Sequence, residues 1–293
     1  MQTVKYTKTQ ADLGLLSATV FWGSTFILSK ILLEQMSLIS YLATRLTFAA
    51  IVMILISVPY RDQLNIKLIR DGIILGIFLF FSYFFQMWGL KYTTATNAGF
   101  ITGLHVVMVP IFSVLLFKDH PRIASLIGVC FATTGLFLLS GGDLSALNRG
   151  DWYVFFCAIA VTFHVILTGK FAPKHNIYLL TSVELTLIAV FSIILMLFNN
   201  YSFTFINLKI SMLIIYLAIF GTVYTFLMQT SMQRFTTATR TALVFTMEPV
   251  FAALFAYIIA GETLQYTGWL GGLLILIGMF VAEIEWNKFF SKT

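Results

Sequence analysis

Residues 93–117 read TTATNAGFITGLHVVMVPIFSVLLF, and residues 236–260 read TTATRTALVFTMEPVFAALFAYIIA. Both stretches open with the same tetrapeptide. An ungapped overlay at this offset of 143 residues matches further positions, namely Val107 with Val250, Phe112 with Phe255, Gly128 with Gly271, Gly135 with Gly278 and Phe137 with Phe280. Valine and phenylalanine matches arise easily in an apolar chain, whereas a four-residue identity and two glycine pairs in one register do not. The second half is therefore interpreted as a copy of the first.

The composition predicts an integral membrane protein. Hydrophobic residues make up 59% of the 293 residues, charged residues only 10%, and the mean hydropathy is +0.92. A soluble domain has about a quarter of its residues charged, and an apolar run of about 18 residues or more can cross the bilayer as a helix. Ten such runs are predicted, at 11–33, 37–58, 73–89, 97–117, 123–140, 152–170, 178–198, 211–232, 240–260 and 268–283.

These runs predict an all-α fold of ten transmembrane helices. A β-barrel would show segments of about ten residues that alternate in polarity, and these runs are apolar all round. The duplication divides the chain into two five-helix repeats, residues 1–145 and 146–293. Because five is an odd number, the second repeat must enter the membrane from the opposite side. Inverted repeats with a binding site near the midplane are the architecture of many secondary transporters.

The distribution of positive charge predicts the orientation. Of the 18 Lys and Arg residues, 13 fall on the side of the amino terminus, 4 on the other side and Arg45 within a span. Because positively charged loops stay in the cytoplasm, both termini are predicted to be cytoplasmic, in the cytoplasmic (inner) membrane. The net charge of +6 is therefore a topology signal and does not favour a nucleic-acid partner. Cys130 and Cys157 lie in apolar runs and are interpreted as packing residues, without a metal or other cofactor.

Three stretches resemble a known family. They are FWGSTFILSK at 21–30, the fourth-span sequence quoted above, and the ninth span continued through GETL at 261–264. The chain is similar to the EamA-like branch of the drug/metabolite transporter superfamily over almost its whole length. The resemblance implies ten helices in two inverted repeats and small organic substrates, most often moved outward. One departure lies in the sixth span, AIAVTFHVILTGK, which lacks the counterpart of Trp22 and Gly23.

Ionisable residues inside spans are candidates for the substrate pathway, because such groups are costly in lipid unless they face a cavity or a partner. They are Arg45, His105, His164, Glu184 and Glu248. His105 overlays Glu248, and both are predicted near the membrane midplane. Glu248, His105 and His164 are candidates for substrate binding and proton coupling; the alternatives are a structural hydrogen bond beside Pro249 and neutral packing histidines. Arg45 and Glu184 are predicted to be shallow enough to extend toward the membrane surface, without a direct ion pair between them.

Polar residues beside aromatic ones could line a binding cavity for an amphipathic solute. The predicted pairs are Trp22 with Thr25, Tyr83 with Gln86, and Tyr224 with Gln229. Trp and Tyr also serve as interfacial anchors, and the repeated tetrapeptide could cap helices or contact substrate.

The sequence carries no phosphate-binding glycine-rich loop, so ATP-driven pumping is not supported. The favoured function is a secondary carrier of small organic metabolites or amphipathic compounds such as amino acids that works by alternating access, and the family resemblance implies that it is an exporter. It needs a small-molecule substrate and the lipid bilayer, and its oligomeric state is left open. The alternatives are a membrane-embedded enzyme acting on a lipid-linked substrate and, less favoured, a channel. A proton-coupled carrier and a simple facilitator could use the same residues.

Overall fold

A computed structural model describes residues 6–117, 123–139, 147–203, 207–236 and 238–283. Throughout these ranges the regular structure is helical. The helices are α1 (Lys8–Leu33), α2 (Leu38–Ser57), α3 (Ile66–Leu90), α4 (Ala95–Gly103), α5 (His105–Phe117), α6 (Ile123–Leu139), α7 (Arg149–Phe171), α8 (Ile177–Phe198), α9 (Leu208–Ala218), α10 (Thr225–Met232), α11 (Ala238–Phe245), α12 (Met247–Ala260) and α13 (Tyr266–Glu283). Short 3₁₀ turns follow α2 and α7, and a π-helical segment, Ile219–Tyr224, joins α9 to α10.

Eight helical segments in the described residues are long and apolar enough to cross a membrane. The predicted class, an all-helical multi-pass membrane protein, is confirmed. The other two predicted spans correspond to α6, with 17 residues, and α13, whose apolar part is Tyr266–Gly278. Ser140, the last residue of the predicted fifth span, lies outside the described residues. The count of ten spans therefore stays a prediction.

The helices begin at the polar residues that separate the apolar runs. Thr7, Ser37, Asn65 and Thr94 each place a side-chain oxygen on a backbone N–H of the first turn. Such caps satisfy amide groups that have no partner inside the helix. In the first copy of the repeated tetrapeptide, Thr94 thus caps α4.

The two halves of the chain interlock. The most extensive helix contacts join α1 to α12, α2 to α8, α3 to both α7 and α8, and α6 to α13, and each pair takes one helix from each half. At the last of these crossings a Cβ on Gly135 would lie 2.5 Å from the Gly271 carbonyl oxygen, and a Cβ on Gly278 would lie 2.7 Å from that of Gly128. The 143-residue offset maps Gly135 onto Gly278 and Gly128 onto Gly271, so the duplication relates the two contacts to each other. Both contacts need a residue without a side chain.

Polar contacts tie the helices together at both ends of the bundle. At one end Arg240 pairs with Asp12, and the His175 ring bonds Asp71 at 2.8 Å. At the opposite end the Glu262 carboxylate accepts hydrogen bonds from Lys30 Nζ at 3.0 Å, from the backbone amides at the start of α4 at 3.2 and 3.1 Å, and from the Thr96 hydroxyl at 3.0 Å. Glu262 therefore joins α1, α4 and the end of α12.

Candidate functional site

Two helix breaks position the central polar residues. The fourth predicted span is interrupted at Leu104, between α4 and α5, and the ninth is interrupted at Thr246, between α11 and α12. His105 is the first residue of α5, and Glu248 lies in the first turn of α12, just before Pro249. A break frees backbone groups from the regular helical bonding pattern, and membrane proteins tolerate this where the chain lines a cavity. Both breaks border the same central cavity.

Eight of the nine predicted site residues line this cavity. They come from α1, α3, α5, α7, α10 and α12 and are Trp22, Thr25, Tyr83, Gln86, His105, His164, Gln229 and Glu248. The lining also includes Arg45, Thr102, Cys157, Phe226 and Phe245. The cavity therefore lies between the two halves and carries both polar and aromatic groups.

Tyr224 is the predicted residue that lies outside this lining. Its hydroxyl is 2.6 Å from the Ser17 hydroxyl, and its ring packs against Phe21 with 5.2 Å between centroids. The spacing explains the difference. Residues three apart, such as Trp22 and Thr25, share a helix face. Residues five apart, such as Tyr224 and Gln229, are about 140° apart around a regular helix at 3.6 residues per turn.

The cavity is narrow in this conformation. Space not filled by atoms amounts to about 580 Å³, but the centre of a water molecule can reach only about 60 Å³ of it. A water needs roughly 10–15 Å³ by the second measure. The cavity therefore has room for a few waters, and a larger solute requires side chains or helices to move apart.

Aromatic contacts divide the cavity into two ends. A chain of ring neighbours runs from Tyr83 through Phe226, Trp22 and Phe245 to His105, with successive centroids 6.1, 5.4, 5.1 and 6.1 Å apart. The Arg45 guanidinium lies over the Tyr83 ring, 5.1 Å from its centroid. Arg45 thus places a positive charge at the Tyr83 end, and apolar rings separate it from the His105 end.

At the His105 end the polar groups are buried and only partly bonded. His105 is fully buried; its Nδ1 is 2.8 Å from the Thr102 carbonyl oxygen, while Nε2 has no partner among the described residues. Glu248 is 6% exposed, and the described residues give its carboxylate no hydrogen-bond donor. A carboxylate in this setting is available to a solute or a proton.

His164 is paired with a residue that the predicted site did not include. Its Nε2 lies 3.2 Å from Glu184 Oε2, and the other Glu184 oxygen has no partner in the described part of the chain. Arg45 and Glu184 were expected to extend toward the membrane surface, whereas the structure encloses both side chains within the protein, with exposures of 1% and 0%. Both side chains are held inside by helix packing, and the structure shows no ion pair between them, as expected.

A model of the EamA-like transporter family matches the chain twice, over residues 9–141 and 148–283. The chain belongs to the EamA-like transporter family. The resemblance noted in the sequence is thereby confirmed, and this EamA-like protein is a multi-pass membrane transporter.

Known relatives of this EamA-like transporter agree with that assignment. It is 33% identical to an uncharacterized transporter of Archaeoglobus fulgidus, with 94% of this chain and 86% of the relative covered. It is 26% identical to the uncharacterized transporter YyaM of Bacillus subtilis, with 92% of each covered. A solved crystal structure shares the fold with a TM-score of 0.69 at 18% identity and covers 94% of this chain and 96% of that one.

Sequence reasoning missed several lining residues of this EamA-like transporter, and helical spacing could have found one of them. Phe226 lies three positions before Gln229 within α10, so the two share a helix face. Thr102 and Phe245 are separated from His105 and Glu248 by the breaks at Leu104 and Thr246, so regular helical spacing does not relate those pairs. Among the described residues, no three His, Cys, Asp or Glu side chains are grouped to hold a metal ion.

Proposed function

We propose that this EamA-like transporter is a secondary carrier of small organic solutes, such as amino acids, and that it works by alternating access. The observation that carries the proposal is the central cavity, where a buried carboxylate and unpaired polar atoms face an aromatic lining between the two halves. A polar and aromatic lining suits an amphipathic solute, whereas a bare ion would need a ring of oxygen ligands.

The proposed architecture is ten transmembrane helices in two inverted repeats, residues 1–145 and 146–293. Three observations support it: the reciprocal glycine contacts between α6 and α13, the helix breaks at corresponding places in the fourth and ninth spans, and the double match of the family model. A pseudo-twofold axis in the membrane plane gives two related halves that can open in turn to each side.

We place both termini in the cytoplasm and the protein in the cytoplasmic membrane, since 13 of the 18 basic residues lie on the side of the termini. Net movement is proposed to be export. The energy source is a gradient, and Glu248, His105 and His164 are the candidate proton carriers, because they are the carboxyl and imidazole groups of the cavity lining.

Flux through purified protein in liposomes tests the carrier function. A panel of amino acids, nucleosides, sugar derivatives and organic cations should include a solute whose uptake saturates and is competed by analogues. Glu248→Gln should lower this flux about tenfold or more, since it deletes the negative charge that Glu248 brings to the lining. Glu34→Gln, the same change at an exposed position, is the control.

The same preparation separates the mechanisms. Dependence of wild-type flux on a pH gradient, lost in Glu248→Gln, supports proton coupling, and flux that ignores the gradient supports a facilitator. His105→Gln should be milder, because an amide and a neutral imidazole make similar hydrogen bonds. If no solute shows saturable flux and the protein turns over a lipid-linked substrate, the function is that of a membrane enzyme and the carrier proposal is wrong.

A further inference from the structure

Arg45 is the cationic group of the cavity lining, and neither the family assignment nor the proposed site gives it a role. We propose that the Arg45 end of the cavity binds an anionic group of the solute, so that the transported compounds are organic carboxylates. The inference rests on the proposed function, because it names the solute class for the same cavity.

The Arg45 guanidinium is held by the protein on every nitrogen. Nε donates to the Thr222 hydroxyl at 3.1 Å, and Nη1 donates to the Tyr41 hydroxyl at 2.8 Å. Nη2 donates at 3.1 Å to the carbonyl oxygen of Gly221 in the π-helical segment. These three bonds have ordinary lengths. They fix the plane of the guanidinium before any solute arrives.

Two further contacts are long. Nη1 lies 3.4 Å from the Ser29 hydroxyl, and Nη2 lies 3.4 Å from the Tyr83 hydroxyl. Hydrogen bonds from nitrogen to oxygen are usually 2.7–3.2 Å. Because Tyr83 lines the cavity beside Arg45, the second N–H of Nη2 is the donor that a solute oxygen can take over with least loss. The Tyr83 hydroxyl donates to the Thr222 hydroxyl at 3.2 Å, because the Thr222 hydrogen is given to the Leu217 carbonyl oxygen, and it can donate to the same anion by giving up this bond.

The charge of Arg45 has no carboxylate counterpart in the described residues. No Asp or Glu oxygen described in the structure lies within 4.0 Å of its nitrogens, and its partners are hydroxyls and one carbonyl. Neutral acceptors satisfy the N–H groups but leave the net charge, and a buried charge without a counterion is unfavourable. A solute carboxylate at this end would supply the missing charge.

The rest of the cavity lining indicates which chemical groups the remainder of the solute carries. The Trp22 and Phe226 rings follow Tyr83 along the lining, with 5.4 Å between their centroids. An aliphatic or aromatic body packs against such rings, and any positive group of a zwitterion would extend toward Glu248. The geometry fits a carboxylate joined to an apolar body, which includes amino acids and simple organic acids.

Matched pairs of ligands test this class directly. Binding to the purified protein in lipid nanodiscs is measured for L-phenylalanine and L-phenylalaninamide and for 3-phenylpropionate and 3-phenylpropionamide. Each acid should bind more tightly than its amide by about tenfold or more, as one charge-assisted hydrogen bond implies. Arg45→Gln should remove this preference, and Arg45→Lys should keep part of it because the charge stays. Arg61→Gln, which removes an exposed charge outside the cavity, should change nothing.

A second measurement does not depend on the choice of ligand. Ser82→Cys places a thiol in the lining, in a background in which Cys130 and Cys157 are serine. The measured quantity is the rate of reaction with an anionic thiosulfonate reagent divided by the rate with a cationic reagent of equal size. This ratio should be higher for the thiol in the cavity than for a free thiol in solution, and Arg45→Gln should reverse that excess.

Equal binding of acids and amides, no binding of either acid, or a ratio of reagent rates that does not change in Arg45→Gln would each overturn the inference. If the inference is overturned in this way but neutral or cationic solutes still show saturable flux, the proposed carrier function remains. If the acids bind but no solute shows flux, only the carrier function is overturned.

Discussion

At the scale of single residues, Glu262 shows how one carboxylate can fix three helices. It accepts from Lys30, from two backbone amides at the start of α4 and from Thr96. A carboxylate at a helix amino terminus is favourable because the amides there lack partners and the helix dipole is positive. Partial burial opposes ionisation of Glu262, but the bonds from Lys30 and from the amides of Thr96 and Ala95 outweigh it and lower its pKa below the ordinary value.

This lowered pKa predicts how stability depends on pH. A carboxyl group with a depressed folded-state pKa stabilises the fold fully above its ordinary pKa, about 4.3, and loses that contribution as the pH falls through the folded value. Glu262→Gln should therefore lower the melting temperature in detergent at pH 7 by several degrees, for a loss of about 1–3 kcal/mol in unfolding free energy. The difference from wild type should vanish in strong acid. Glu34→Gln, at an exposed position at the same end, should melt like wild type at every pH, and a gap for Glu262→Gln that persists in acid would contradict the charge-based explanation.

Residue-level inference from the sequence reached part of the site. The intramembrane histidines and Glu248 were identifiable because ionisable groups in apolar runs need a reason to be there. The enclosure of Arg45 was missed, since its distance from the end of the span could not reveal hydroxyl partners on other helices, such as Tyr83 and Thr222. Long-range partners require the three-dimensional packing, which one sequence does not contain.

At the scale of helices, the packing depends on glycines where two helices cross closely. Gly135 in α6 faces the backbone of α13, where an added Cβ would also lie 2.8 Å from the Ile275 nitrogen. Small residues let membrane helices approach until their backbones touch. The helix positions themselves were predictable from the apolar runs. Gly103 and Pro249 stand beside the breaks at Leu104 and Thr246, and Pro249 cannot donate a hydrogen bond to the Phe245 carbonyl, but these residues alone did not predict a complete interruption of each span.

Replacing Gly135 tests this close crossing. Gly135→Ala should destabilise the protein by about 1–3 kcal/mol, because backbone atoms of α13 cannot move aside as a flexible side chain would. Gly169→Ala is the matched control, since the nearest atoms to its added Cβ are 3.8 Å away. Alanine in a helix is favoured over glycine by about 0.5–1 kcal/mol, so the control should be neutral or slightly stabilised. Thermal unfolding followed by size-exclusion chromatography measures both, and equal behaviour of the two variants would show that α6 and α13 do not pack this closely.

At the scale of the whole molecule, the opposite ends of the bundle differ in charge and in the loops that meet there. Asp12 with Arg240 and Asp71 with His175 mark one end, and Glu262 with Lys30 marks the other. The basic excess lies at the first end. If the repeats are inverted, corresponding loops of the two halves must lie on opposite sides of the membrane, which composition alone cannot establish.

Labelling of single cysteines tests orientation and inversion together. The variants are Glu34→Cys, Asp62→Cys, Lys174→Cys and Tyr201→Cys, all at exposed loop positions, in a background in which the two native cysteines are serine. Glu34 and Lys174 follow the first spans of their halves, and Asp62 and Tyr201 follow the second. An impermeant maleimide should therefore label Glu34→Cys and Tyr201→Cys in intact cells, but Asp62→Cys and Lys174→Cys only after the membrane is opened. The complementary pattern would reverse the orientation and keep the inverted repeats. Labelling of Glu34→Cys and Lys174→Cys from the same side would instead contradict inversion, and the two halves could not then alternate as related gates.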